Sequence, residues 1–321
     1  MNTVLWYSAV IVIGLLTLVW SADRFVEGSS AIARRAGLSP MVIGLTIVSF
    51  GTSAPEVLIS IMSAVADSGE LAVGNALGSN IANIGLVLGA TLVLSSIALN
   101  KETVFIDLPI LIAAVLLTWV LLLDLTLSPT NSLALLCALG LFFVRILHHA
   151  KTSGQTRDED IPAELSAIAE WAYFVGGLLL LIAASRALVW AASHIATMLG
   201  VSELIIGLTI VAVGTSLPEL AASVASALKG HADMAVGAIV GSNMFNILLV
   251  LAIPGFWGTI SLQPEVITRD MGAVFVTTLV LALAALGRWN GDSQSSRLKW
   301  GTGAVLLSLY AAYYAWLFAS P

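Results

Sequence analysis

Long apolar runs separated by short polar breaks dominate the chain, and their lengths set its reading. With boundaries free to move by a few residues, ten runs can form helices that cross a bilayer, which needs roughly 20 residues each. They lie at about 4–35, 40–66, 71–95, 104–123, 129–147, 167–199, 203–228, 233–253, 269–287 and 299–318. No water satisfies backbone amides inside a bilayer, and runs of this length favour helices over a barrel. The pattern predicts an all-α integral membrane protein with ten transmembrane helices. The first and sixth runs are long enough to tilt strongly. Val4 to Trp20 has no basic residue before it and continues without a clear small-residue cleavage signal, so it reads as a retained span.

An internal repeat organises these spans. IGLTIVSFGTSAPEVLIS from Ile43 matches IGLTIVAVGTSLPELAAS from Ile206 at 12 of 18 positions, a shift of 163 residues. The same shift lays VGNALGSNIANI from Val73 over VGAIVGSNMFNI from Val236, and Glu70 over Asp233, without a gap. Each half holds five spans, an odd number, so the second copy enters the membrane in the opposite sense. The predicted organisation is a first five-helix repeat at 1–147, a cytoplasmic loop at 148–166, and a second, inverted five-helix repeat at 167–321.

Composition adds exclusions. With 59% hydrophobic residues, 10% charged and a mean hydropathy of +1.00, a soluble domain is excluded. The net charge of -6 says little, because most acids lie in loops. Cys137 is the sole cysteine, so neither an intramolecular disulfide nor a thiolate metal site can form. Basic residues set the orientation. With the termini outside, the inward ends and loops hold Arg24, Arg34, Arg35, Lys101, Arg145, Lys151, Arg157, Lys229, Arg288, Arg297 and Lys299, whereas the outward loops hold only Arg269. Arg186 falls within the sixth run and favours neither side. The central acidic run, Asp158, Glu159 and Asp160, reads as a solvated loop rather than a regulatory cation site.

Candidate chemistry centres on Glu56 and Glu219, each midway along an otherwise apolar run. An ionised carboxylate there costs at least ~2.5–3.5 kcal/mol, so something must compensate. A structural acid paired with a base is the competing reading, but Arg186 alone cannot neutralise two repeat-related acids. Pro55 and Pro218 lack an amide hydrogen, which frees the carbonyls of Gly51 and Gly214 and should break each helix. Those carbonyls are expected to point into a cavity beside Thr52, Ser53 and Glu56 in one copy, and Thr215, Ser216 and Glu219 in the other. Ser79 and Asn83, like Ser242 and Asn246, are four apart and can share a helix face. Asn80 and Asn243 read as interhelical hydrogen-bond glue, with Gly74 and Gly78 close-packing if that structural role extends to them. Such an all-oxygen donor set suits hard cations such as Ca²⁺ and Na⁺. Two fixed negative charges match one Ca²⁺ or several Na⁺.

GTSAPE with GSNIAN in the first half, and GTSLPE with GSNMFN in the second, resemble the two alpha repeats of the cation/calcium exchanger superfamily, specifically its prokaryotic-type sodium/calcium exchangers. The resemblance implies antiport of Na⁺ against Ca²⁺ by alternating access, with spans 1 and 6 sliding against the other eight, in a prokaryotic plasma (inner) membrane. It implies Glu56, Glu219, Thr52 and Thr215 as calcium ligands. Sodium ligands would be these four with Ser49, Ser53, Ser79, Asn83, Ala212, Ser216, Ser242 and Asn246; Ser49 and Ala212 would act through backbone carbonyls. Many relatives carry Asp where this chain has Asn246, which counts against potassium coupling. The calcium/proton branch has an extra acid near the start of spans 3 and 8 that this chain lacks. A calcium/proton antiporter and, more distantly, a cation channel remain the alternatives. No cofactor, nucleic acid or obligatory protein partner is indicated, and no nucleophile and base pair suggests an enzyme.

Overall fold

The computed structural model describes residues 2–152, 166–200 and 212–319. We number its helices α1 (Asn2–Ala36), α2 (Pro40–Thr52), α3 (Ala54–Val65), α4 (Gly69–Leu94), α5 (Thr103–Leu121), α6 (Pro129–Thr152), α7 (Ala167–Met198), α8 (Ala212–Thr215), α9 (Leu217–Leu228), α10 (Ala232–Gly255), α11 (Val266–Gly287) and α12 (Trp300–Ala319). Among the described residues eight helices are long and apolar enough to cross a membrane, or nine if α2 and α3, bent by 45° at their junction, form one span. The acidic run at 158–160 and the start of the expected seventh span, 203–211, lie outside the described residues.

Local chemistry sets the ends. Ser39 caps α2 by accepting the Val42 amide hydrogen at 3.3 Å, and Pro40 follows at a first-turn position that needs no amide donor. The turns after α3 and α9 are related by the 163-residue shift and close in the same way. Ser68 N donates to Ser63 O at 2.8 Å and Asp67 N to Ala64 O at 3.2 Å; His231 N donates to Ser226 O at 2.8 Å and Gly230 N to Ala227 O at 3.2 Å. This closure needs a left-handed residue, supplied by Asp67 at φ 57° and Gly230 at φ 83°.

Packing sorts the helices into two bodies. α1 and α7 lie along one another, with Gly28 against the Phe174 backbone, Gly177 against that of Phe25, and the Phe25 and Phe174 rings stacked at 5.3 Å. Arg35 locks one end by donating to both oxygens of buried Glu170, at 2.6 and 2.8 Å. The other helices surround α4 and α10, whose most apolar stretches are 72% and 89% buried against 11% for α1 and 17% for α12. Close backbone approach binds this body. Gly237 and Gly241 of α10 face the Met41 and Leu45 carbonyls of α2, and Gly303 of α12 faces the Gly89 carbonyl of α4. Gly74 and Gly78 have no such neighbour among the described residues.

Short strands, which the helical pattern does not announce, join the loops. β1 (Ile97–Asn100), β5 (Ser295–Leu298) and β4 (Trp289–Asn290) form one antiparallel sheet, and β2 (Thr126–Leu127) pairs with β3 (Ile260–Ser261) in another. Ile97 lies opposite Leu298 and Thr126 opposite Ser261, so each sheet ties the first half of the chain to the second.

Candidate functional site

Both breaks fall where proline predicts them. α2 ends at Thr52 and α3 begins with Pro55 in its first turn; α8 ends at Thr215 and α9 begins with Pro218 in its first turn. The carboxylates that follow are buried, Glu56 at 1% and Glu219 at 3% exposure. Each sits in the first turn of its helix, where the positive end of the helix dipole favours an anion. Among the described residues neither meets a basic side chain. Arg186 is exposed and plays no part.

The two copies meet at this point. The Ser53 hydroxyl, from the first break, donates to Glu219 Oε1 of the second at 3.3 Å. Glu56 and Glu219 lie close enough to interact electrostatically. Ser49, Thr52, Ser53, Ser79, Asn83, Ser216, Ser242 and Asn246 are likewise buried, and Thr215 is half-buried. Ala212 opens α8.

Asn83 and Asn246 each start a stretch of wider π-helical turns, Asn83–Leu88 and Asn246–Val250, a geometry frequent at functional sites. Among the described residues both ends of both amides, Glu56 Oε2, Glu219 Oε2, Ser216 Oγ and Ser242 Oγ are buried without a hydrogen-bond partner. A buried polar group left so costs stability, and such a cluster of oxygen donors suits a hard cation.

Two expectations need correction. The Gly214 carbonyl is not left free: Ser185 Oγ of α7 donates to it at 2.6 Å. Asn80 and Asn243 are not glue between helices, because their amides bond back within their own helices, to Ala76 O at 2.8 Å and Ile239 O at 2.7 Å. The Ser49 carbonyl is also engaged, by Ser53 N at 3.0 Å and Thr52 Oγ1 at 3.4 Å.

The structure also reveals a second repeat-related pair of acids. Asp107 and Asp270, 163 apart, are buried in α5 and α11 near the ends of their π-helical turns. Each has a local partner. Arg145 of α6 meets Asp107 at 2.5 Å, while Asp270 holds Arg269 at 2.8 Å and accepts from the Tyr313 hydroxyl at 3.0 Å. These acids are neutralised in place, unlike Glu56 and Glu219. The shift of 163 could have found them, since it also lays Leu99 over Leu262 and Glu102 over Glu265.

A membrane body of apolar helices, crossed by two broken helices that bring unpaired carboxylates together, defines the protein as an ion-handling membrane protein. The sodium/calcium exchanger protein family matches residues 6–147 and 169–319, and the chain belongs to that family. As a member it is a membrane antiporter of ion-transporting type. CaxA of Alkalimonas amylolytica is 43% identical over 97% of this chain and 98% of its own length. The inner membrane protein YrbG of Escherichia coli is 34% identical, covering 97% and 96%. The solved sodium-calcium exchanger NCX_Mj superposes with a TM-score of 0.82 at 30% identity, over 98% of this chain and 99% of that one.

Proposed function

We propose that this chain exchanges Na⁺ for Ca²⁺ by alternating access at one shared site, near the bilayer midplane, where the two breaks meet. The observation that carries the reading is the Ser53 to Glu219 contact between two breaks that each bear a buried carboxylate without a base. Glu56, Glu219, Thr52 and Thr215 are the proposed calcium ligands. Sodium is held by these with Ser49, Ser53, Ser79, Asn83, Ala212, Ser216, Ser242 and Asn246. Two carboxylates balance one Ca²⁺, so bound Na⁺ and bound Ca²⁺ compete for the same negative charge, and competition at one site is what exchange requires. The Ser49 carbonyl takes an ion on this reading when the Thr52 hydroxyl, which reaches it at only 3.4 Å, turns to Val48 O and leaves one of its two lone pairs.

The same reading places ten spans in two inverted repeats, at 1–147 and 167–321, with the termini outside and the 148–166 loop in the cytoplasm of a prokaryotic inner membrane. Strand pairing supports this parity. β2 and β3 must lie on one side, yet α6, α7 and α10 separate them, so a fourth crossing must fall in the stretch that contains α8 and α9. The loops around β1, β4 and β5 carry Lys101, Arg288, Arg297 and Lys299, which marks that side as cytoplasmic. Alternating access also needs a mobile body, and the α1 and α7 pair, packed as a unit, is the one we assign.

The test is Ca²⁺ uptake into proteoliposomes preloaded with Na⁺, compared with K⁺ or choline loading and with an imposed pH gradient. Uptake that requires the outward Na⁺ gradient and persists without K⁺ is expected. Uptake driven only by protons would replace Na⁺ in the reading, and no uptake under any gradient would overturn it.

A further inference from the structure

The breaks are repeat-related, but their attachment to the α1 and α7 pair is not. At the second break the carbonyl that Pro218 cannot satisfy, that of Gly214, accepts the Ser185 hydroxyl at 2.6 Å. Ser185 is buried, at 4% exposure, so no water competes for this bond. One turn along α7, Val189 packs so tightly on Gly214 that a Cβ there would collide with its methyl group. α7 therefore touches this break by a hydrogen bond and by a side chain seated on a glycine.

The 163-residue shift places Ala22 of α1 where α7 has Ser185, and Val26 where it has Val189. Ala22 has no hydroxyl, and what sits against Gly51 is Leu178 of α7 rather than any residue of α1. Leu178 and Ser185 are two turns apart on one face of α7, about 10 Å along its axis. One helix thus reaches both breaks, and at the second it adds a hydrogen bond to its packing.

We propose that Ser185 is a positioning residue that fastens α7 to the break beside Glu219, so that axial movement of α7 reaches Thr215, Ser216 and Glu219 before it reaches Thr52, Ser53 and Glu56. This rests on the exchange reading above for its role in transport, though the fastening itself does not. Opening of the site is then unequal: the second half-site follows α7, while the first is held only by packing. Loss of the hydroxyl should slow the movement more than it weakens equilibrium binding.

The test compares wild type, Ser185→Ala and Ser185→Thr in the full chain. Alanine differs from serine only by the missing oxygen, so Ser185→Ala removes the donor without adding bulk. In sodium-loaded proteoliposomes Ser185→Ala is expected to lower the maximal rate of Ca²⁺ uptake by about tenfold, with less than about a twofold change in half-saturating Ca²⁺, and Ser185→Thr, which keeps the donor, to restore the rate. In the same purified samples, hydrogen–deuterium exchange at residues 212–219 should rise several-fold in Ser185→Ala, while residues 49–56 stay unchanged. Wild-type uptake tests the exchange reading, and the amide measurement decides the fastening even if no transport is seen. A wild-type rate in Ser185→Ala, or unaltered protection at 212–219, would overturn the proposal.

Discussion

Glu219→Gln separates a carboxylate that serves an ion from one that serves the fold. Gln is nearly isosteric and keeps a carbonyl oxygen to accept the Ser53 hydroxyl that now reaches Oε1 at 3.3 Å, so the geometry of the break should survive. What changes is one unit of charge. Attraction between that charge and a divalent ion ~3 Å away is about 11 kcal/mol at an effective dielectric of ~20. Most of this offsets the stripping of water from both ions. Removing one member of a buried charge pair costs ~3–5 kcal/mol net, or roughly 10²–10⁴-fold in Ca²⁺ affinity. Folding should move the other way, because a neutral amide removes a buried charge whose insertion costs at least ~2.5–3.5 kcal/mol. The assay is Ca²⁺ binding by titration calorimetry with sodium-driven uptake, beside thermal unfolding in Ca²⁺-free detergent. Expected are lost binding, lost exchange and a thermal midpoint equal to or above wild type. Exchange within about twofold of wild type, or a midpoint several degrees lower without Ca²⁺, would refute the assignment. Glu56→Gln should behave alike.

Arg145→Leu removes the charge partner of the buried Asp107 carboxylate and is expected to cost ~3–5 kcal/mol, read as a large fall in thermal midpoint. The double change Asp107→Leu with Arg145→Leu should recover most of it. Gly237→Ala drives a methyl group toward the Met41 carbonyl, 2.6 Å from the added carbon, and is expected to lower stability by ~1–3 kcal/mol because backbone cannot step aside. His231, between α9 and α10, has its pKa lowered from 6.5, chiefly by burial and then by Arg34 and Lys229. The folded state therefore binds fewer protons than the unfolded chain. Its contribution to stability is present above about pH 6.5 and is lost as pH falls through the depressed value. His231→Gln should flatten the dependence of thermal midpoint on pH below 6.5, as scanning fluorimetry would record.

The broken helices and their carboxylates were legible because each depends on residues close in sequence: Gly51 to Glu56 and Gly214 to Glu219 carry glycine, proline and acid within six residues. Apolar run length gave the helices for the same reason. The partners of those residues were not legible, because partnership is a tertiary fact. Nothing local to Gly214 says that Ser185 bonds its carbonyl, and nothing near Asp107 names Arg145 as its base. Asn80 was misjudged between two structural uses, since whether an amide bonds its own helix or a neighbour depends on what packs beside it. The short strands were not legible because β1 and β5 find each other across about 200 residues of chain.

Close packing of α12 on α4 also has a consequence for synthesis. Gly85 and Gly89 receive Tyr310 and Leu307, and the Gly89 carbonyl faces Gly303. The glycine face of α4 is thus translated about 200 residues before the helix that covers it. At ~5–20 residues per second this is a wait of roughly 10–40 s in lipid. α4 must enter the membrane and remain unpaired along that face until α12 has been made. A transcript truncated before Trp300 therefore yields inserted helices whose Gly85 and Gly89 face lacks its cover.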